Sequence, residues 1–196
     1  MGAVTAAVAV SLSTIGVSAL TPASAAQVHY STPPLQSWRL NGQGFAVVVD
    51  GGTAYVGGQF TTARSFNGQQ TATRLDLSAF DVATGDLVTS FRADTDGVVR
   101  ALATDGTHLF VGGDFSTIGG HAVQNLARLD LATGAVDTSW AGGANNVVWA
   151  LAAEGGTLYV GGAFNRINGV SRPRLGAVDA DTGALSSWAP TPDGQI

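Results

Sequence analysis

The chain has 196 residues, of which 45% are hydrophobic and only 12% are charged, against about 25% charged residues in an average soluble domain. This composition excludes a charge-rich disordered chain, and the net charge of −5 excludes a broad basic surface for nucleic acid. The absence of cysteine excludes disulfides, thiolate metal sites and cysteine nucleophiles. Thirteen of the 14 acidic residues are Asp and 27 residues are Gly; both favour turns, so the composition indicates short strands joined by tight turns.

The N-terminal segment is typical of an export signal. Residues 2–20 carry no charge, and Ala23 and Ala25 then form a small-x-small cleavage pattern. We therefore expect a signal peptide at residues 1–25, a secreted or cell-surface protein, and no stable membrane span after cleavage. An uncleaved membrane anchor is the alternative. No basic residue precedes the apolar stretch, so we expect the true start to lie upstream.

Self-similarity is the strongest pattern in the chain. An aromatic-Val-Gly-Gly-x-Phe segment and an Asp-x-x-Thr-Gly segment each occur three times. The first occupies Tyr55–Phe60, Phe110–Phe115 and Tyr159–Phe164, and the second begins at Asp81, Asp130 and Asp179. The Asp residues are 49 positions apart, whereas the first two Val-Gly-Gly segments are 55 apart. The first copy therefore carries six extra residues, which fall in a loop at residues 61–73.

Each copy is predicted to form four short antiparallel strands. Asp105-Gly106 is a two-residue hairpin signal between two apolar runs, and no stretch of the mature chain shows helical periodicity. An aromatic residue closes each copy, at Trp38 (from a preceding copy), Phe91, Trp140 and Trp188. For the second copy we expect strands at Val98–Thr104, Thr107–Val111, Leu126–Leu131 and Val136–Trp140.

Four strands at a period near 49 residues predict a β-propeller blade, with a β-solenoid as the alternative. The fold class is therefore all-β, with about three four-stranded blades of a larger, incomplete propeller. Because closed propellers have about four to eight blades, the sequence predicts either a fragment of a longer propeller or self-association that covers the open faces. The expected boundaries are an N-terminal segment with the outer strand of a preceding blade at 26–43, repeats at 44–93, 94–142 and 143–191, and the start of a fourth repeat at 192–196.

The copies resemble the delta-60 repeat, a β-propeller repeat of unknown function in exported bacterial proteins. The resemblance covers about residues 36–196 and implies an extracellular or cell-surface propeller without catalytic residues. It is carried by Asn125–Asp130, Asp137–Trp140, Val147–Leu151 and Leu158–Phe164.

A weaker similarity links Asp-x-x-Thr-Gly followed by Trp to the repeats of quinoprotein dehydrogenases and their non-enzymatic relatives. Trp140 lies six positions after Gly134, and Trp188 lies five positions after Gly183. The corresponding motif of those enzymes is tighter, which puts a quinone site in doubt.

Most repeated residues have a structural interpretation. The Asp of each Asp-x-x-Thr-Gly turn is expected to accept backbone N–H bonds, and the Gly pairs are expected where blades approach closely. Asp94–Gly97 is interpreted as a linker turn rather than a calcium loop. His29, His108 and His121 have no partner at ligand spacing, and no serine lies in a nucleophile motif, so no catalytic residue, metal ligand or cofactor is predicted.

One position of the first strand varies while its neighbours stay alike. Counting back five residues from Asp50, Asp105 and Glu154 gives Phe45, Arg100 and Trp149. In a propeller this strand approaches the central channel, so these three residues are candidate ligand-binding residues at the channel mouth, with inter-blade packing as the alternative.

The sequence therefore predicts an exported propeller module for interaction or scaffolding outside the cell. Its expected partner is an unknown protein or glycan at the cell surface, or a second copy of the chain. The alternative is a fragment of a secreted propeller enzyme, either quinoprotein-like or carbohydrate-acting, whose site lies in missing blades.

Overall fold

A computed structural model describes residues 37–190, which belong to one compact unit. The predicted signal peptide and the start of the predicted fourth repeat lie outside the described residues. Three antiparallel sheets of three strands each follow one another along the chain and are called blades 1, 2 and 3. Blade 1 consists of β2 (Gln43–Asp50), β3 (Thr53–Gln59) and β6 (Leu77–Asp81). Blade 2 consists of β7 (Val98–Thr104), β8 (His108–Asp114) and β11 (Leu126–Asp130). Blade 3 consists of β12 (Val148–Glu154), β13 (Thr157–Gly162) and β16 (Leu175–Asp179).

A small accessory sheet follows the second strand of each blade, and the sequence pattern did not indicate these sheets. In blade 1 it comprises β1 (Arg39–Leu40), β4 (Thr62–Arg64) and β5 (Thr71–Thr73). In blade 2 it is the hairpin of β9 (Thr117–Ile118) and β10 (His121–Ala122), and in blade 3 the hairpin of β14 (Arg166–Ile167) and β15 (Val170–Ser171). Their strands are too short to show a hydrophobic alternation that could be recognised in the sequence.

The predicted fourth strand is shorter than expected. In blade 2 it forms a single bridge, between Leu129 and Val136. Two backbone bonds make this bridge, from the Asp130 N–H to the Ala135 carbonyl and from the Asp137 N–H to the Arg128 carbonyl. The chain then bends, because the Asp137 carboxylate accepts bonds from both the N–H and the hydroxyl of Ser139. Each blade is therefore a three-stranded sheet, and the segment predicted as its fourth strand is joined to the third strand by a single bridge.

The first strands of the three blades are the innermost. β7 lies against both β2 and β12, whereas the third strands of neighbouring blades have no comparable contact in the described part of the chain. The blades therefore converge at their first strands and diverge outward, as in a propeller. The fold class predicted from the sequence is confirmed.

The hydrophobic core lies between blades rather than within one. One cluster joins Tyr55 and Phe91 of blade 1 to the second-strand residues of blade 2, and a second joins blades 2 and 3. In each blade the second-strand aromatic packs against the closing aromatic. The ring pairs are Tyr55–Phe91, Phe110–Trp140 and Tyr159–Trp188, with centroids 5.3, 5.8 and 5.3 Å apart.

The Gly pairs explain how closely the blades approach. A Cβ on Gly57 would lie 2.3 Å from a methyl group of Val99 in the next blade, and a Cβ on Gly112 would lie 2.5 Å from one of Val148. Only glycine fits such a separation, so the predicted role of the first Gly of each of these pairs is confirmed.

Blades 1 and 3 each leave one apolar face uncovered. On blade 1, Val47 is 66% exposed, although its counterpart Leu102 of blade 2 packs in the core. On blade 3, Tyr159 and Trp188 are 36% and 42% exposed, whereas the matching Phe110 is fully buried. Residues 37–190 contain no helix, and hence none long and apolar enough to span a membrane.

Candidate functional site

The innermost strand of each blade contains a β-bulge at the position singled out in the sequence. The pairing register shifts at Phe45, at Arg100 and at Trp149, so each has no direct partner on the second strand. The second Gly of the pair permits this geometry: a Cβ on Gly58 or Gly113 would lie 2.0 or 2.1 Å from a carbonyl oxygen of the bulged strand. Bulges redirect side chains and are frequent beside functional sites.

The three bulge residues present two exposed aromatic rings and one arginine. Phe45 is 45% exposed and Trp149 is 39% exposed, whereas Arg100 is partly buried. The Arg100 guanidinium lies over the Phe45 ring, with its central carbon 5.9 Å from the ring centroid. This cation–π contact spans blades 1 and 2. Trp149 makes no such contact with a residue of the described range.

Arg100 retains unused hydrogen-bonding capacity. Its Nε is buried and has no hydrogen-bond partner, and within residues 37–190 no carboxylate pairs with its guanidinium. A guanidinium offers five donors in a planar fork that matches carboxylates and other oxyanions. The site can therefore combine an apolar contact surface with donors for an anionic or polar group of a ligand.

The Asp-x-x-Thr-Gly segments are structural turns, as predicted. The Asp130 carboxylate accepts bonds from the N–H groups of Ala132 and Thr133 and from the Thr133 hydroxyl. These bonds, led by the Thr133 hydroxyl, lower the pKa of Asp130. Asp81 and Asp179 make the equivalent turns in blades 1 and 3. Each carboxylate is thus committed to its own turn.

A second repeated side-chain contact, called the cap, binds the backbone just after the second strand of each blade. It was not recognised in the sequence because Asn occupies the position in two blades and Asp in the third. The side chains of Asn41, Asp96 and Asn145 each accept two backbone N–H bonds from the chain just after the second strand. The Ser116 hydroxyl and two backbone N–H groups lower the pKa of Asp96 to about 2. The Asp94 carboxylate accepts the Leu75 N–H, so Asp94 and Asp96 both bind backbone N–H groups at the junction of blades 1 and 2.

The same cap shows that Trp38 is not equivalent to the other closing aromatics. Trp38 lies three residues before Asn41, whereas Phe91 lies five before Asp96. The segment after Trp38 pairs through β1 with β4 of the accessory sheet.

No partner at ligand spacing was found for the histidines in the sequence, but the fold brings two carboxylates near His108. Its Nδ1 lies 3.1 Å from Oδ2 of Asp105, and one ligand atom from each of Asp105, His108 and Asp181 lies within 4.8 Å of the others. The sequence shows the Asp105-x-x-His108 spacing but not the approach of Asp181 from the next blade. His121 is exposed on β10, and His29 lies outside the described residues.

Comparisons with known proteins agree with the blade architecture. The family model described as a domain of unknown function (DUF5122) β-propeller matches residues 108–139 and 156–175. These segments run from β8 to the closing turn of blade 2, and from β13 to the start of β16 in blade 3. A comparison with curated protein sequences gives no match.

Solved structures that match part of the chain include two computationally designed proteins and the WD40 β-propeller domain of Doa1. The designed Ika8 protein is 14% identical with a TM-score of 0.43, over 71% of this chain and 46% of that one. The WD40 β-propeller domain of Doa1 is 14% identical with a TM-score of 0.42, over 77% and 46%. The designed Ika4 protein is 12% identical with a TM-score of 0.39, over 71% and 92%.

The chain thus spans about half the length of the first two structures it matches. The repeated strand order, the convergence of the innermost strands and the family match together show that this chain is built from β-propeller repeats.

Proposed function

We propose that this chain is an exported β-propeller repeat module that binds a protein or glycan outside the cell or at the cell surface. The observation that carries the proposal is the row of bulges at Phe45, Arg100 and Trp149. Two exposed rings and an arginine with unused donors are placed side by side on the innermost strands. Trp, Tyr and Arg are the side chains most enriched at binding hot spots, and the row contains two of these three types.

The test measures binding of the labelled full chain to intact cells of its source by flow cytometry. A triple variant with Phe45, Arg100 and Trp149 changed to alanine is expected to lose at least about 10-fold in affinity, as for a hot-spot cluster. The control variant changes three other exposed apolar residues, Phe66→Ala, Val82→Ala and Val170→Ala, which are 45%, 47% and 47% exposed. Equal binding by both variants, or no binding by the unaltered chain, would contradict the proposal.

The chemical nature of the partner is tested on the same cells. Protease treatment is expected to abolish binding if the partner is a protein, and periodate oxidation to abolish it if the partner is a glycan. Export is tested separately by N-terminal sequencing of the product in the medium and the cell envelope. Cleavage after Ala25 is expected, and a full-length intracellular product would contradict the export part of the proposal.

The uncovered faces of blades 1 and 3 provide a route to scaffolding. They carry the residues that in blade 2 form the two sides of an inter-blade contact, since Val47 matches Leu102 and Tyr159 matches Phe110. Blade 3 of one copy can therefore accept blade 1 of a second copy as it would accept a following blade. Two copies of residues 37–190 joined at both junctions give a ring of six blades, within the usual range of about four to eight.

A further inference from the structure

We propose that Asp105, His108 and Asp181 bind a divalent transition-metal ion, for which Zn²⁺ is the best match, and that the ion joins blade 2 to blade 3. One ligand atom from each residue lies within 4.8 Å of the other two. Asp105 and His108 belong to the β7–β8 hairpin of blade 2, whereas Asp181 belongs to the Asp-x-x-Thr-Gly turn of blade 3. Imidazole nitrogen with carboxylate oxygen is a ligand set that Zn²⁺ accepts.

The first two ligands are held in place before any ion binds. Oδ1 of Asp105 accepts the N–H groups of Thr107 and His108, at 2.8 and 2.7 Å. These bonds fix the carboxylate and direct Oδ2 to Nδ1 of His108, 3.1 Å away. Two ligand atoms that each lie about 2.1 Å from one Zn²⁺ are separated from each other by a distance similar to this 3.1 Å. The pair therefore needs little rearrangement to bind the ion.

The third ligand is anchored through its backbone and has a free carboxylate. The Arg128 guanidinium donates to the Asp181 carbonyl and pairs with Asp137 of its own blade. The Asp181 carboxylate itself has no hydrogen bond or ion pair with any residue of the described range. A small rotation of this exposed side chain would bring its carboxylate into contact with an ion bound to Asp105 and His108.

The repeat itself indicates that the cluster is more than ordinary blade packing. The partner of the turn Asp across the sheet is Thr53 in blade 1 and Thr157 in blade 3, but His108 in blade 2. The residue two positions after the turn Asp is Ala83 or Ala132, but Asp181 in blade 3. The two residues that depart from the repeat are thus the two that meet across one blade boundary.

The local charge also favours a cation. The Asp130 carboxylate belongs to the residue opposite His108 in the β8–β11 ladder. Three carboxylates therefore surround one imidazole.

The experiment is titration of the purified full chain with ZnCl₂ by calorimetry, with CaCl₂ as the hard-ion comparison. The variants His108→Thr and Asp181→Ala introduce the residues found at the matching positions of other blades, so both are compatible with the fold. The controls His121→Thr and Asp86→Ala remove an exposed imidazole and an exposed carboxylate elsewhere.

We expect one Zn²⁺ per chain, at least about 10-fold weaker binding in each ligand variant, unchanged binding in the controls, and weaker binding of Ca²⁺. Zn²⁺ is also expected to raise the Tm of the unaltered chain and not that of the ligand variants, because an ion bound only by the folded state stabilises it. Lack of saturable Zn²⁺ binding, or binding retained in His108→Thr, would overturn the proposal.

Discussion

The closeness of the blades makes Gly112→Ala the most direct test of the inter-blade packing. The added methyl group would lie 2.5 Å from Cγ1 and 3.1 Å from Cβ of Val148, where carbon atoms prefer about 3.5–4.0 Å. Val148 is fully buried and, being β-branched, has few alternative rotamers. The overlap of about 1 Å must therefore be relieved by moving β12 away from β8.

Overpacking of this kind costs about 1–3 kcal/mol. For a chain of this size each kcal/mol lowers Tm by about 2–4 °C, so we expect a Tm about 2–12 °C lower by calorimetry. The control is Gly143→Ala, where a Cβ would meet nothing within 4 Å and the Tm should hardly change. The double variant Gly112→Ala/Val148→Ala should lose less free energy of unfolding than the sum of the losses in the two single variants. If Gly112→Ala and Gly143→Ala have the same Tm, the blades are not packed as described.

Three further predictions concern the cap, a cross-blade hydrogen bond and self-association. Because the pKa of Asp96 is lowered to about 2 from 3.8, its stabilising effect is present above about pH 4 and is lost as the pH falls towards 2. Asp96→Asn, which copies the residue of the other two blades, removes this charge, so it should lower the Tm at pH 7 and reduce the decline of the Tm between pH 4 and 2; an unchanged decline would refute this role. The Tyr55 hydroxyl donates to the Leu131 carbonyl of the next blade at 2.8 Å, so Tyr55→Phe should lower the free energy of unfolding by about 0.5–1.5 kcal/mol in urea titrations; no loss would show that water replaces the bond. The unaltered chain should sediment as two copies and Val47→Asp as one, whereas a chain that is monomeric throughout would contradict ring closure by a second copy.

The sequence was sufficient for the repeat, the strand class and the turns because these depend on local chemistry. Asp130 accepts bonds from residues two and three positions away, so its segment indicates the turn without knowledge of the rest of the chain. The same holds for the Asp105-Gly106 hairpin, where Gly106 has φ of +86°. The bulge position was also visible, as one variable residue in an otherwise constant strand.

Only the tertiary structure decided which side chains meet. Arg100 reaches the Phe45 ring across 55 positions of sequence, and Asp181 reaches His108 across 73. Such contacts depend on how far each blade is rotated from the last and on how closely the Gly pairs let the blades approach, and neither quantity is encoded in a local pattern. The sequence by itself determined the blade, and the packing of one blade on the next determined the candidate sites.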